Sequence, residues 1–155
     1  MAVKPRRRSV LYAYVASGND DAGRSLSLTF VDDGGRVQQL VTLTPVGTRT
    51  RCERALRGIV HALWSARTLG YRRGIVHSDQ PEAVALINGG RRVDPRLIGP
   101  YLEARALMHA YRWARVTVGE IRWERLGAGL QQQLSALERR SDRAVGSLAA
   151  AIQQR

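Results

Sequence analysis

The chain has 155 residues, enough for one domain with a buried core. Its hydrophobic content of 44% and charged content of 25% exclude a disordered chain. No apolar run approaches the roughly 20 residues of a membrane span, the start MAVKPRRRS lacks the apolar stretch of a secretory signal, and the single Cys52 excludes an internal disulfide framework.

A cytoplasmic protein with no membrane partner is therefore expected. The balance of 25 Lys+Arg against 13 Asp+Glu gives a net charge of +12. Lys4 is the only lysine. A preference for arginine codons accounts for the shortage of lysine but not for the net charge. Arginine binds phosphate bidentately through its planar fork, so the excess points to a polyanion, nucleic acid first.

In chain order, residues 1–9 form a short basic arm and 10–155 a single domain. Val10 to Ala16 (VLYAYVA) is β-branched and aromatic and predicts a strand. After the turn SGNDDAG, Ser25 to Val31 alternates Leu26, Leu28 and Phe30 on one face. After DDGG, Arg36 to Thr44 alternates again, so the first three strands form an antiparallel meander. From Thr50 to Leu69 the period becomes helical through Cys52, Leu56, Ile59 and Leu63, and Gly70 predicts the helix end.

Arg73 to His77 predicts a fourth strand. Asp79 to Asn88 predicts a short helix, with Asp79 and Glu82 at capping-box spacing and Pro81 in the first turn. A basic linker, GGRRVDP, leads to a helix over Arg96 to Ala114 and a fifth strand over Val116 to Trp123. From about Ala128 a leucine stripe predicts a further helix, which reads as core or as the seam of a homodimer. The expected fold class is α/β: a five-stranded mixed sheet, three antiparallel strands first, flanked by helices.

Two motifs in this order resemble the ribonuclease H-like superfamily over roughly residues 10–150. TRTRCERAL (48–56) is similar to the segment in which a turn enters a helix whose first turn carries a catalytic Glu, and Glu53 matches it. IVHSDQPEAVALING (75–89) is similar to the strand that ends in a catalytic Asp, and Asp79 matches it. The resemblance implies two divalent metals held by a cluster of about four carboxylates, clamping the attacking and leaving oxygens.

This chain departs from that pattern twice. No acid lies between Met1 and Asp20, and Tyr14 falls at or beside the family's first Asp position. SDRAVGSLAA (141–150) fits the family's last motif with Val145 where an Asp belongs. Asp142, one helical turn earlier, is the available substitute, whereas Asp20 and Asp21 lie too far along the chain. The expected catalytic and metal set shrinks to Glu53 and Asp79. No resident cofactor, or at most weakly held Mg²⁺ or Mn²⁺, is expected.

Taken singly, Glu53 reads as a helix-dipole residue and Asp79 as an N-cap. His77, close to Asp79, could join a metal site, but a core or edge histidine is the simpler reading. Cys52 reads as a small buried residue, since no histidine is placed to activate it. The resemblance nominates Ser17, Gly18, Asn19, Arg49 and Arg51 for nucleic-acid contact, with Arg91 and Arg92 where many members carry a basic protrusion. Trp113 and Trp123 interleave with Arg112, Arg115, Arg122 and Arg125 in a pattern suited to nucleic acid.

The leading expectation is a nucleic-acid-binding protein (RNA, RNA/DNA hybrid or DNA) whose nuclease activity is degraded or absent. The alternatives are an active Mg²⁺- or Mn²⁺-dependent nuclease with a rearranged site, and a protein-interaction or dimerisation module.

Overall fold

The computed structural model describes residues 9–17 and 24–120. The chain divides into two compact units, 1–121 and 122–155, and every described residue lies in the first. The basic-arm residues 1–8, Gly18, Asn19, Asp20, Asp21, and the C-terminal stretch with Trp123, Asp142, Val145 and the leucine stripe lie outside the described residues.

Strands β1 (Leu11–Ser17), β2 (Leu26–Asp32) and β3 (Val37–Leu43) form the antiparallel meander that the alternation predicts. Helix α1 (Arg51–Thr68) crosses over to β4 (Arg73–Ser78), which pairs parallel with β1. Helix α2 (Pro81–Ile87), a 3-10 turn at Pro95–Leu97 and helix α3 (Ile98–Ala110) lead to β5 (Trp113–Val118), parallel to β4. The sheet order is β3-β2-β1-β4-β5.

One face of this sheet makes the core. Leu11, Ala13 and Val15 of β1, Leu28 and Phe30 of β2, Val76 of β4 and Val116 of β5 are buried with Leu56, Ile59 and Leu63 of α1. Gly58 lets α1 sit close: a Cβ there would lie 2.7 Å from Val15 Cγ1 and 2.8 Å from Leu26 Cδ1. On the other face Tyr12, Tyr14, Ile75 and His77 are half-buried.

The ends of α1 follow the sequence closely. Thr50 Oγ1 accepts the amide of Glu53 at 3.1 Å, an N-cap bond. At the other end Gly70 takes φ +93°, its amide reaches the Arg67 carbonyl, and Tyr71 reaches back to Ala66. Those two bonds make a Schellman motif, which satisfies carbonyls the helix leaves unpaired.

Three boundaries around the fifth strand differ from expectation, the strand itself ending at Val118 rather than Trp123. The fifth strand starts at Trp113 rather than Val116, and the preceding helix stops at Ala110 rather than Ala114. Tyr111 causes the shift. It fits the helical apolar stripe because it is buried, but its backbone is extended and its hydroxyl donates to the Leu63 carbonyl. The capping box at Asp79 also fails to form. Gln80 is the N-cap of α2, makes no side-chain capping bond, and donates its amide to Ser78 Oγ at 3.2 Å.

Candidate functional site

The parallel pairing of β1 and β4 sets their C-terminal ends side by side. Tyr14 pairs with His77 and Val15 with Ser78. One step further, the amide of Asp79 donates to the Val15 carbonyl at 3.2 Å. The Asp79 carboxylate turns back across the strands, where Oδ2 accepts the Ser17 amide at 2.8 Å. Its other oxygen, Oδ1, is buried without a hydrogen-bond partner. Asp79 therefore fastens β4 to the end of β1 and leaves one acceptor unmet, a costly state for a buried polar atom.

The register puts Ala16, two residues beyond Tyr14, beside Asp79. Neither residue is acidic. Tyr14 instead stacks on His77, ring centroids 4.7 Å apart and planes 11° apart, and Tyr12 lies 6.4 Å from the same imidazole. Gly119 makes room for this histidine: a Cβ there would lie 2.7 Å from His77 Nδ1. Burial depresses the His77 pKa below its ordinary value. Burial, with a smaller contribution from Tyr12, raises that of Tyr14. Both rings are thus held neutral near pH 7, the reverse of a paired-carboxylate site.

Glu53 has a different task. Its Oε2 accepts the Arg49 amide at 3.0 Å, while its own amide bonds Thr50. The side chain closes a reciprocal cap on α1. Among the described residues no three His, Cys, Asp or Glu side chains gather as metal ligands. One oxygen of Glu53 and one of Asp79 are bonded to backbone amides, and among the described residues no third acid joins them. Exposed Glu120, just past β5, is an acid that the sequence reading passes over.

The basic candidates fall around this end of the molecule in separate groups. Ser17, Arg49 and Arg51 are exposed, as are Arg91 and Arg92. Arg51, Arg91 and Arg92 line one cleft of about 940 Å³, together with Cys52, Gln80 and Glu82. Arg91 pairs with Glu82 at 3.2 Å on an exposed surface. Burial raises the Cys52 thiol pKa, Glu82 adds to the rise and Arg91 opposes it, so the thiol stays protonated and inert.

The Tyr12–His77–Tyr14 row and the space at Gly119 are absent from the sequence reading. Alternation in YAYVA and RGIVH gives each residue its face. Only the pairing of β1 with β4, more than sixty positions apart in the chain, brings the rings together.

No family model matches the chain, and no curated protein matches it. Solved structures do. An RNase H1 from the halophilic archaeon Halobacterium salinarum superposes with a TM-score of 0.64 at 17% identity, covering 78% of this chain and 93% of that one. The N-terminal RNase H domain of a Mycobacterium tuberculosis protein, solved as a maltose-binding-protein fusion, gives 0.55 at 21% identity, covering 79% and 94%. LC11-RNase H1, solved in complex with an RNA/DNA hybrid, gives 0.56 at 13% identity, covering 81% and 92%. The chain has a ribonuclease H-like fold.

Proposed function

We propose that this chain is a nucleic-acid-binding protein on a ribonuclease H-like fold, that its ligand is an RNA-containing duplex, and that its metal-dependent nuclease activity is degraded or absent. The observation that carries the reading is the state of the two matched acids. Glu53 closes a helix cap, Asp79 ties β4 to β1, and the neighbouring positions on β1 are Tyr14 and Ala16. Among the described residues no carboxylate cluster forms, and a two-metal clamp on a phosphate needs one.

The net charge of +12 supports a polyanionic ligand. The hybrid bound to LC11-RNase H1 supports its class. An A-form duplex is recognised through phosphates and minor-groove 2′-hydroxyls. Ser17, Gly18, Asn19, Arg49, Arg51, Arg91 and Arg92 are the residues assigned to that contact.

The test is anisotropy with a labelled RNA/DNA hybrid across a salt series, alongside incubation with Mg²⁺ or Mn²⁺. Affinity should fall steeply with salt as counterions are released, and the hybrid should stay intact. Failure to bind any RNA-containing duplex would overturn the reading. Cleavage that Asp79→Asn abolishes would establish the rearranged nuclease instead, a reading that the unpartnered Oδ1 of Asp79 favours.

A further inference from the structure

Strands β4 and β5 also begin side by side. The Arg72 carbonyl accepts the amides of Arg112 at 2.9 Å and Trp113 at 3.4 Å, and Arg73 pairs with Trp113 in the ladder. Two short segments, Arg72–Arg73 and Arg112–Arg115, are thereby joined at one end of the sheet. Leu11 pairs with Gly74, so Ser9 and Val10, where the basic arm enters β1, belong to this end too. Asp79 follows the last residue of β4, roughly 20 Å away at the other end of that strand.

Among the described residues this end is basic and its arginines form no ion pair. No Asp or Glu occurs from Arg54 to Ser78 or from Ala104 to Gly119. Among the described residues the acids at this end of the sheet are Asp32 and Asp33 on β2 and its turn, and the Asp32 carboxylate already accepts from the Gly34 and Arg36 amides and the Gln38 side chain. Among the described residues the ion pairs are Arg57–Glu103 and Arg91–Glu82, and none involves Arg72, Arg73, Arg112 or Arg115. Arg73 Nε is buried without a hydrogen-bond partner.

An exposed aromatic sits among these charges. Trp113 is 40% exposed, and the Arg115 guanidinium lies 5.5 Å from its ring centroid. That contact orients the indole and keeps an always-charged phosphate ligand beside it.

We infer that this patch is a contact site for single-stranded nucleic acid, separate from the duplex surface proposed above. A base extends the stack on Trp113, and Arg72, Arg112 and Arg115 take the flanking phosphates. Aromatic stacking tolerates any base, so recognition is of backbone and π-face rather than sequence. The ligand class is shared with the proposed function; the surface is not.

The experiment compares a labelled oligouridylate of about 12 nucleotides with a blunt RNA/DNA hybrid, using the full chain. Arg112→Gln/Arg115→Gln should lower oligouridylate affinity about tenfold and flatten its salt slope by about 1.4, two contacts' worth. Hybrid affinity should change far less. Arg49→Gln/Arg51→Gln should do the reverse. Trp113→Ala should weaken the single strand, and Trp113→Phe should largely restore it, while matched thermal melts confirm an intact fold.

Unchanged oligouridylate affinity in the Arg112/Arg115 variant would overturn the inference. So would equal losses from both arginine pairs. If the unaltered protein binds oligouridylate but no hybrid, the duplex reading fails and this one stands. If it binds only hybrid, this one fails.

Discussion

The two ends of the sheet are made from the same strands and carry opposite chemistry. Where β1 and β4 finish, the polar groups are turned inward: Asp79 holds the Ser17 amide, and His77 is stacked on Tyr14. Where β4 and β5 start, the arginines have no ion-pair partner among the described residues, and one buried nitrogen is unmet. The acids that resemblance marks as reactive each have one oxygen engaged within the protein. The arginines that resemblance leaves unmarked are available to a ligand.

The sharpest way to break this contrast is to disturb the helix seat common to both ends. Gly58→Ala places a Cβ against Val15 and Leu26. It should cost about 1–3 kcal/mol from overpacking, less up to about 1 kcal/mol from the better helix propensity of alanine. Urea unfolding should show a lower midpoint with an unchanged slope.

Gly119→Ala acts on the strand-finishing end alone. The added methyl meets His77 Nδ1 and should shift the ring off Tyr14, at about 1 kcal/mol. Loss of the imidazole ring-current shifts in the proton NMR spectrum is the readout, and oligouridylate affinity at the other end should not move.

Asp79→Asn keeps a carbonyl to accept the Ser17 amide and removes one negative charge near the proposed duplex phosphates. Hybrid affinity should rise roughly two- to fivefold, about one weak Coulomb interaction in solvent. A fall would contradict the assignment of Asp79 as a structural tie.

The smallest effect concerns pH. Burial depresses the His77 pKa in the folded chain, so the unfolded chain binds its proton first as pH falls. Stability is full above the ordinary histidine pKa and declines as the pH drops from there through the folded value. His77→Phe keeps a ring and removes the proton, so it should blunt the loss of melting temperature between about pH 7 and pH 5. An equal loss in both proteins would move the acid sensitivity to another group.

What was legible in the sequence was local. Period-two alternation gave β2 and β3, β-branched and aromatic composition gave β1, a short apolar run gave β4, and Thr50, Glu53 and Gly70 gave the ends of α1. Tyr111 misled because a buried residue just past a helix fits the helical stripe as well as one inside it. Asp79 misled because its spacing from Glu82 imitates a capping box, while its partner Ser17 lies 62 positions away. The basic patch was half legible. Arg112 and Arg115 stood out beside Trp113, but their meeting with Arg72 and Arg73 depends on a carbonyl of Arg72 that no spacing announces.

Strand β5 is also the last in the sheet order, beside nothing on its outer side among the described residues. Bare sheet edges invite other chains to pair with them, and charge is a common guard. The opposite edge, β3, shows water polar Gln38, Gln39 and Thr42. The β5 edge shows Trp113 and Val118, the latter 52% exposed, and exposed Arg112 and Arg115 supply charge of the kind that guards such an edge. A polyanion that neutralises those arginines removes the guard as it binds. Turbidity should therefore peak where added oligonucleotide balances the protein's charge, and clear again when excess strand coats the edge with phosphate.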